Sequence, residues 1–177
     1  MFINESGEGD MLKAARTLLS GLNVLNWAVG ILFIVFAALV TLVGSAAFIE
    51  VAEARNIAQP DALLNWLGWS AILMVPMIIA VHFIFTRLIR IIDSAGIGQA
   101  FSIANAERLT TIAWALLVTQ LIDLAAGVLS TRTSALTGKY LGWSPSFSGL
   151  LAFILLFILA RIFREGAAMR EELEGTV

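Results

Sequence analysis

Ile112–Ser130 reads IAWALLVTQLIDLAAGVLS, and the fold turns on whether this stretch crosses a membrane. Its length is close to the roughly 20 apolar residues that a helix needs to traverse a bilayer core. Asp123 is its only charge. A carboxylate at membrane depth is costly, so it normally faces a helix bundle or a wet cavity and finds partners there. Ala115, Thr119, Asp123 and Gly127 recur every four residues, hence on one helix face, with Gln120 beside them. Such a small and polar stripe suits close helix approach and interhelical hydrogen bonding. The competing reading is a surface helix, and the rest of the chain decides between the two.

Composition points to lipid. Hydrophobic residues make up 59% of the 177 and charged residues 14%, with mean hydropathy +0.91. Soluble domains carry roughly a quarter charged residues, and this chain has too few to clothe a water-facing surface. No charge occurs between Arg16 and Glu50, between Asp61 and Arg87, or between Lys139 and Arg161. These runs predict spans at 25–48, 66–86 and 143–163, and the opening stretch supplies a fourth at 110–130. The first run exceeds the 7–15 apolar residues of a signal peptide and follows a polar segment, so it reads as a retained span.

Charge orients the spans. Lys13 and Arg16 precede the first, Arg87, Arg90 and Arg108 lie between the second and third, and Arg161, Arg164 and Arg170 follow the fourth. Only Arg55, Arg132 and Lys139 fall in the other two loops. Positive charge stays on the cytoplasmic side, so both termini are expected there. A three-span chain would divide the basic segments between the two sides, which favours counting 110–130 as a span. Trp66, Trp69 and Trp143 near outer ends, with Trp27 and Trp114 near inner ones, agree with interfacial belts and equally with helix packing.

The expected fold is an all-α membrane protein, a single membrane domain over 1–177 built as a four-transmembrane-helix bundle. Its connectors are a cytoplasmic segment (1–24), outer loops (49–65 and 131–142), an inner loop (87–109) and a cytoplasmic tail (164–177). Met11–Asn23 has helical spacing of apolar residues and predicts a short amphipathic helix in the membrane plane, or else a straight extension of the first span. Gln59-Pro60-Asp61 marks a turn, and Pro76 should bend the second span. In the inner loop, Gly96-Ile97-Gly98 ends one helix and Ser102 can cap a short helix from Ile103.

Few residues offer chemistry. With one histidine and no cysteine, the chain lacks the ligand cluster of a zinc site, and it has no disulfide. No nucleophile, base and orienting group stand at a catalytic spacing, so neither an enzyme nor a cofactor is expected. Net charge is −2 without a dense basic run, which argues against direct nucleic-acid binding. His82 and Asp123 differ in depth by about 12 Å in upright helices, too far to pair. Ser45, Ser70, Ser146 and Ser148 match Asp123 better. Asp123 then has three readings: a structural hydrogen bond, a proton or cation site, and a place at the outer interface. Ala37, Thr41 and Ser45 form a second small-residue stripe, for packing within the chain or against another copy.

Two stretches carry a family likeness. One is Gly98-Gln99-Ala100-Phe101-Ser102 followed by Asn105-Ala106-Glu107-Arg108-Leu109. The other is Phe163-Arg164-Glu165-Gly166-Ala167 followed by Met169-Arg170-Glu171-Glu172 and a closing Thr176-Val177. Together they resemble the DUF2975 family of small bacterial membrane proteins, with Ala100 in place of the usual proline and Met169 in place of leucine. The resemblance implies four spans in the bacterial cytoplasmic (inner) membrane and no established activity. Members are often encoded beside a small helix-turn-helix regulator, which implies a membrane protein that holds or modulates a transcription factor. Both motifs fall on the expected cytoplasmic side. Phe101, Ser102, Asn105 and Arg108, with Arg164, Glu165, Arg170 and Glu171, are therefore the candidate docking residues. The alternative is a small oligomeric transporter or channel that uses Asp123, Gln120 and Thr119.

Overall fold

Uncharged runs make long helices because a backbone away from water must satisfy its own N–H and C=O groups. The computed structural model describes the backbone of residues 5–174 and the side chains of residues 9–169. It contains α1 (Glu5–Leu42), α2 (Ser45–Ala54), α3 (Pro60–Gly96), α4 (Ile103–Thr137) and α5 (Ser148–Glu174), with no strand among the described residues. Gly9–Leu42, Pro60–Gly96 and Ile103–Thr137 are long and apolar enough to cross a bilayer, which marks the chain as a membrane protein. In α5 the apolar run Gly149–Ala160 ends at Arg161, after about 18 Å of helix at 1.5 Å per residue.

The boundaries correct several expectations. Of the two readings of Met11–Asn23, the straight extension of the first span holds and the separate amphipathic helix does not, because α1 runs unbroken from Glu5. Met11–Asn23 contains no proline, and its Leu, Lys, Ala and Arg residues favour helix strongly enough to carry it past Gly21. The inner loop likewise has no helix of its own. α3 and α4 extend into it and leave only 97–102 as a turn. At the far end the first helix stops early. The N–H groups of Val43 and Gly44 both bond to Leu39 O, at 3.0 and 2.9 Å. The chain restarts at Ser45 as α2, which covers the last residues of the expected span and the first of the expected outer loop. Pro60 opens α3 from its first turn, where a missing N–H costs nothing. Pro76 lies within the same continuous helix.

The helices form an open row, not a closed bundle. α1 packs on α3, α3 on α4 and α4 on α5, while α2 rests against α1 and α3. Among the described residues α1 and α5 have no close backbone approach, which a closed four-helix bundle would require. Lipid tails are as apolar as leucine, so no hydrophobic force draws the two ends of the row together. Close approach occurs instead where a side chain is missing. Gly30 of α1 leaves room for Ile78 of α3, and Gly149 of α5 for Gln120 of α4. α1 begins and α5 finishes at the same, arginine-rich end of the row, where Arg16 of α1 pairs with Asp93 of α3 at 3.0 Å.

Candidate functional site

The α3–α4 turn at the arginine-rich end is built on Asn105. Ser102 caps α4 by accepting the Asn105 N–H at 3.3 Å, as its sequence position predicts. The Asn105 side chain is fully buried. Its Nδ2 donates to Ser94 Oγ at 2.8 Å and to the carbonyl oxygens of Ala100 and Gln99 at 2.8 and 3.2 Å. Arg108 donates to Asn105 Oδ1 at 2.7 Å and to Arg90 O at 3.1 Å. The amide thus spends every donor and acceptor on holding α3, the turn and α4 together. Asn105 is corrected from a docking residue to an internal tie, because nothing outside the chain can reach it.

The second motif comes to this corner. Phe101 is exposed and packs on Phe163 of α5, with ring centroids 4.9 Å apart. Arg164 is exposed, and Glu165 accepts a hydrogen bond from Arg161 Nε at 2.9 Å. The side chains of Arg170 and Glu171 lie outside the described residues. Phe101, Ser102 and Arg108 are therefore joined with Phe163, Arg164 and Glu165 on one end of the molecule, although the motifs are some sixty residues apart.

The other polar cluster lies halfway along α4. The uncharged stretch between Arg108 and Arg132 is interrupted only by Asp123 and is centred on Gln120. At that level α5 begins. Gly149 lies against Gln120, whose Nε2 donates to Ser146 O at 2.8 Å, and Ser146 Oγ shares a proton with Ser148 Oγ at 2.8 Å. From there back to Gly138 the chain is not helical. Leu141 N–H bonds to Ser134 Oγ at 3.0 Å, and the Trp143 ring occupies the space left by Gly127. The segment 139–147 therefore runs in extended form along the half of α4 that lies away from the arginine-rich end. This corrects the expected helix over 143–163, which begins five residues late. The reason is local: Gly142-Trp143-Ser144-Pro145-Ser146 combines the two strongest helix breakers with residues that bond to their own backbone.

Asp123 is half-buried one turn above Gln120, and among the described residues no ion pair includes it. Thr119 returns its hydroxyl proton to Leu116 O at 2.8 Å and does not reach across. His82 stands apart from both, as depth predicts. Its Nδ1 lies 3.0 Å from Asn23 Oδ1 and 3.2 Å from Trp27 Nε1, so it donates to Asn23 when protonated and accepts from Trp27 when not, and either bond ties α3 to α1. Sequence reasoning missed Asn23 and Trp27 as its partners, and only their shared spacing at the start of span one could have hinted at them. Trp66 Nε1 donates to Ser130 Oγ at 3.1 Å and ties α3 to α4, far from the arginine-rich end, in the same manner. Among the described residues no three His, Asp or Glu side chains converge as metal ligands would.

No curated protein and no solved structure matches the chain. A family model covers residues 22–177, from the start of the first apolar run through both motifs. The chain belongs to that family, described as a protein of unknown function (DUF2975).

Proposed function

We propose that this protein is a non-enzymatic, four-crossing protein of the bacterial cytoplasmic membrane, and that its cytoplasmic face holds a soluble regulatory protein. Two facts support four crossings. The eight residues 140–147, extended, reach up to about 26 Å at 3.3 Å each, and with the apolar part of α5 they are ample for a core about 30 Å thick. The bias of Lys and Arg towards the end of the row that holds both chain ends supports a cytoplasmic placement for the two termini.

The observation that carries the docking reading is the Phe101–Phe163 contact. It makes one surface of the α3–α4 turn and the end of α5, with an exposed aromatic ring beside the exposed Arg164. Aromatic and arginine side chains are the usual anchors of protein interfaces. The partner class is the helix-turn-helix regulator that the family resemblance implies. Co-purification with the regulator encoded beside the gene tests this. Capture should occur with the wild type and fall at least about tenfold with Phe101→Ala or Arg164→Glu, as loss of an anchor costs. No capture with both proteins present would overturn it.

One observation favours a second reading, a small oligomeric transporter or channel. A helix that starts halfway along its neighbour beside a carboxylate is the kind of break that transporters use at their binding sites. Equal ion flux into liposomes for wild type and Asp123→Asn would dismiss it.

A further inference from the structure

The segment between α4 and α5 poses a physical problem that the four-crossing reading makes acute. With Gln120 at the middle of α4, the extended chain from Tyr140 to Phe147 occupies the outer half of the membrane thickness. Leu141 is the one residue in it whose N–H is bonded among the described residues. Tyr140 and Phe147 are 78% and 71% exposed, and Gly142, Ser144, Pro145 and Ser146 between them are exposed as well. Non-helical backbone does not face lipid, because hydrocarbon offers nothing to its N–H and C=O groups. It survives at membrane depth only when protein covers it or water reaches it.

Protein cover is disfavoured by the residues themselves. A partner strand would need a run of donors, and Pro145 removes one from the centre of the segment. Gly142, Ser144 and Ser146 offer no apolar surface for a helix to seat on. Water suits the polar groups present: the unpaired amides, the Ser144 and Ser146 hydroxyls, and below them the Gln120 amide and the half-buried Asp123 carboxylate.

We infer that residues 140–147 line a water-filled recess, open to the outer side, that reaches the middle of the membrane at Gln120 and Asp123. The recess occupies the place where the outer half of a fourth helix would otherwise stand. Asp123 then keeps its hydration in spite of its depth, which explains how it persists with no ion-pair partner. The inference rests on the four-crossing reading, and the experiment below separates the failure of one from the failure of the other.

The chain contains no cysteine, so single substitutions give an unambiguous signal. Lys139→Cys, Ser144→Cys, Ser146→Cys and Leu155→Cys are each expressed in the full chain, and intact cells are treated from outside with a charged, membrane-impermeant methanethiosulfonate. Only a hydrated thiol ionises to the reactive thiolate, so Ser144→Cys and Ser146→Cys should react within about tenfold of Lys139→Cys, and Leu155→Cys about a hundredfold more slowly. If Lys139→Cys reacts while both serine variants are as slow as Leu155→Cys, the recess does not exist and lipid or protein covers the segment. If Lys139→Cys itself reacts only after the cells are opened, the orientation is wrong and the outward-facing recess falls with it. Two serine positions guard against one variant failing to fold.

Discussion

The two ends of α4 carry polar turns of opposite character. At the Asn105 end the side-chain amide sits at 0% exposure with four groups bonded to it, and its backbone N–H is held by Ser102. At the other end the chain returns along α4 with Leu141 alone tied by its amide among the described residues, and with its serines and proline open. The first turn lies at the arginine-rich end, where water is at hand, and beneath its exposed residues it closes on the buried Asn105 amide. The second lies alongside the apolar part of the row, yet it is open. A buried polar network holds geometry only when complete, so the first turn has the properties of a structural clamp. An incomplete one persists only where water completes it, and that is the mark of a site that solvent or solute visits.

The largest expected effect breaks the clamp. Asn105→Ala strands the carbonyl oxygens of Gln99 and Ala100 together with part of Arg108, and should cost about 2–4 kcal/mol by analogy with other buried polar deletions. Unfolding of the detergent-solubilised protein measures it. An unchanged midpoint would show that the corner is held by something else. A smaller loss is expected at the other turn. Gly127→Val places a side chain where the Trp143 ring lies, and overpacking of this kind costs about 1–3 kcal/mol. The segment can swing away from α4, so the fall should lie at the low end of that range. If Gly127→Val proves the more damaging of the two, the contrast between a clamped and an open turn is wrong.

Much of this was legible in the sequence. The long helices were, because the absence of charge is a property of each residue and needs no neighbour. Ser102 was read correctly as a cap for the same reason: capping is decided within three residues. The open row was not legible, since a leucine that faces lipid and one that faces a helix are the same residue. Nor was the role of Asn105, whose partner Ser94 lies eleven positions back on another helix. The late start of α5 is a different case. Gly142 and Pro145 stood in plain view, and the uncharged run around them was given more weight than the breakers within it.

The smallest effect concerns the clamp's surroundings. Arg16 and Asp93 are 60% and 48% exposed, so their ion pair should be worth less than about 1 kcal/mol. Asp93→Arg should lower stability slightly, and the exchanged pair Arg16→Asp with Asp93→Arg should recover it. A large loss would mean that the corner depends on this exposed pair, and not on Asn105.

Hydrogen exchange in lipid nanodiscs, resolved by peptide, tests the contrast most directly. The amides of 142–147 should exchange far faster than those of 116–122 in α4 beside them, while 103–109 stay protected. Protection of 142–147 equal to that of α4 would contradict the account, because it would mean that the segment is either helical or sealed from water.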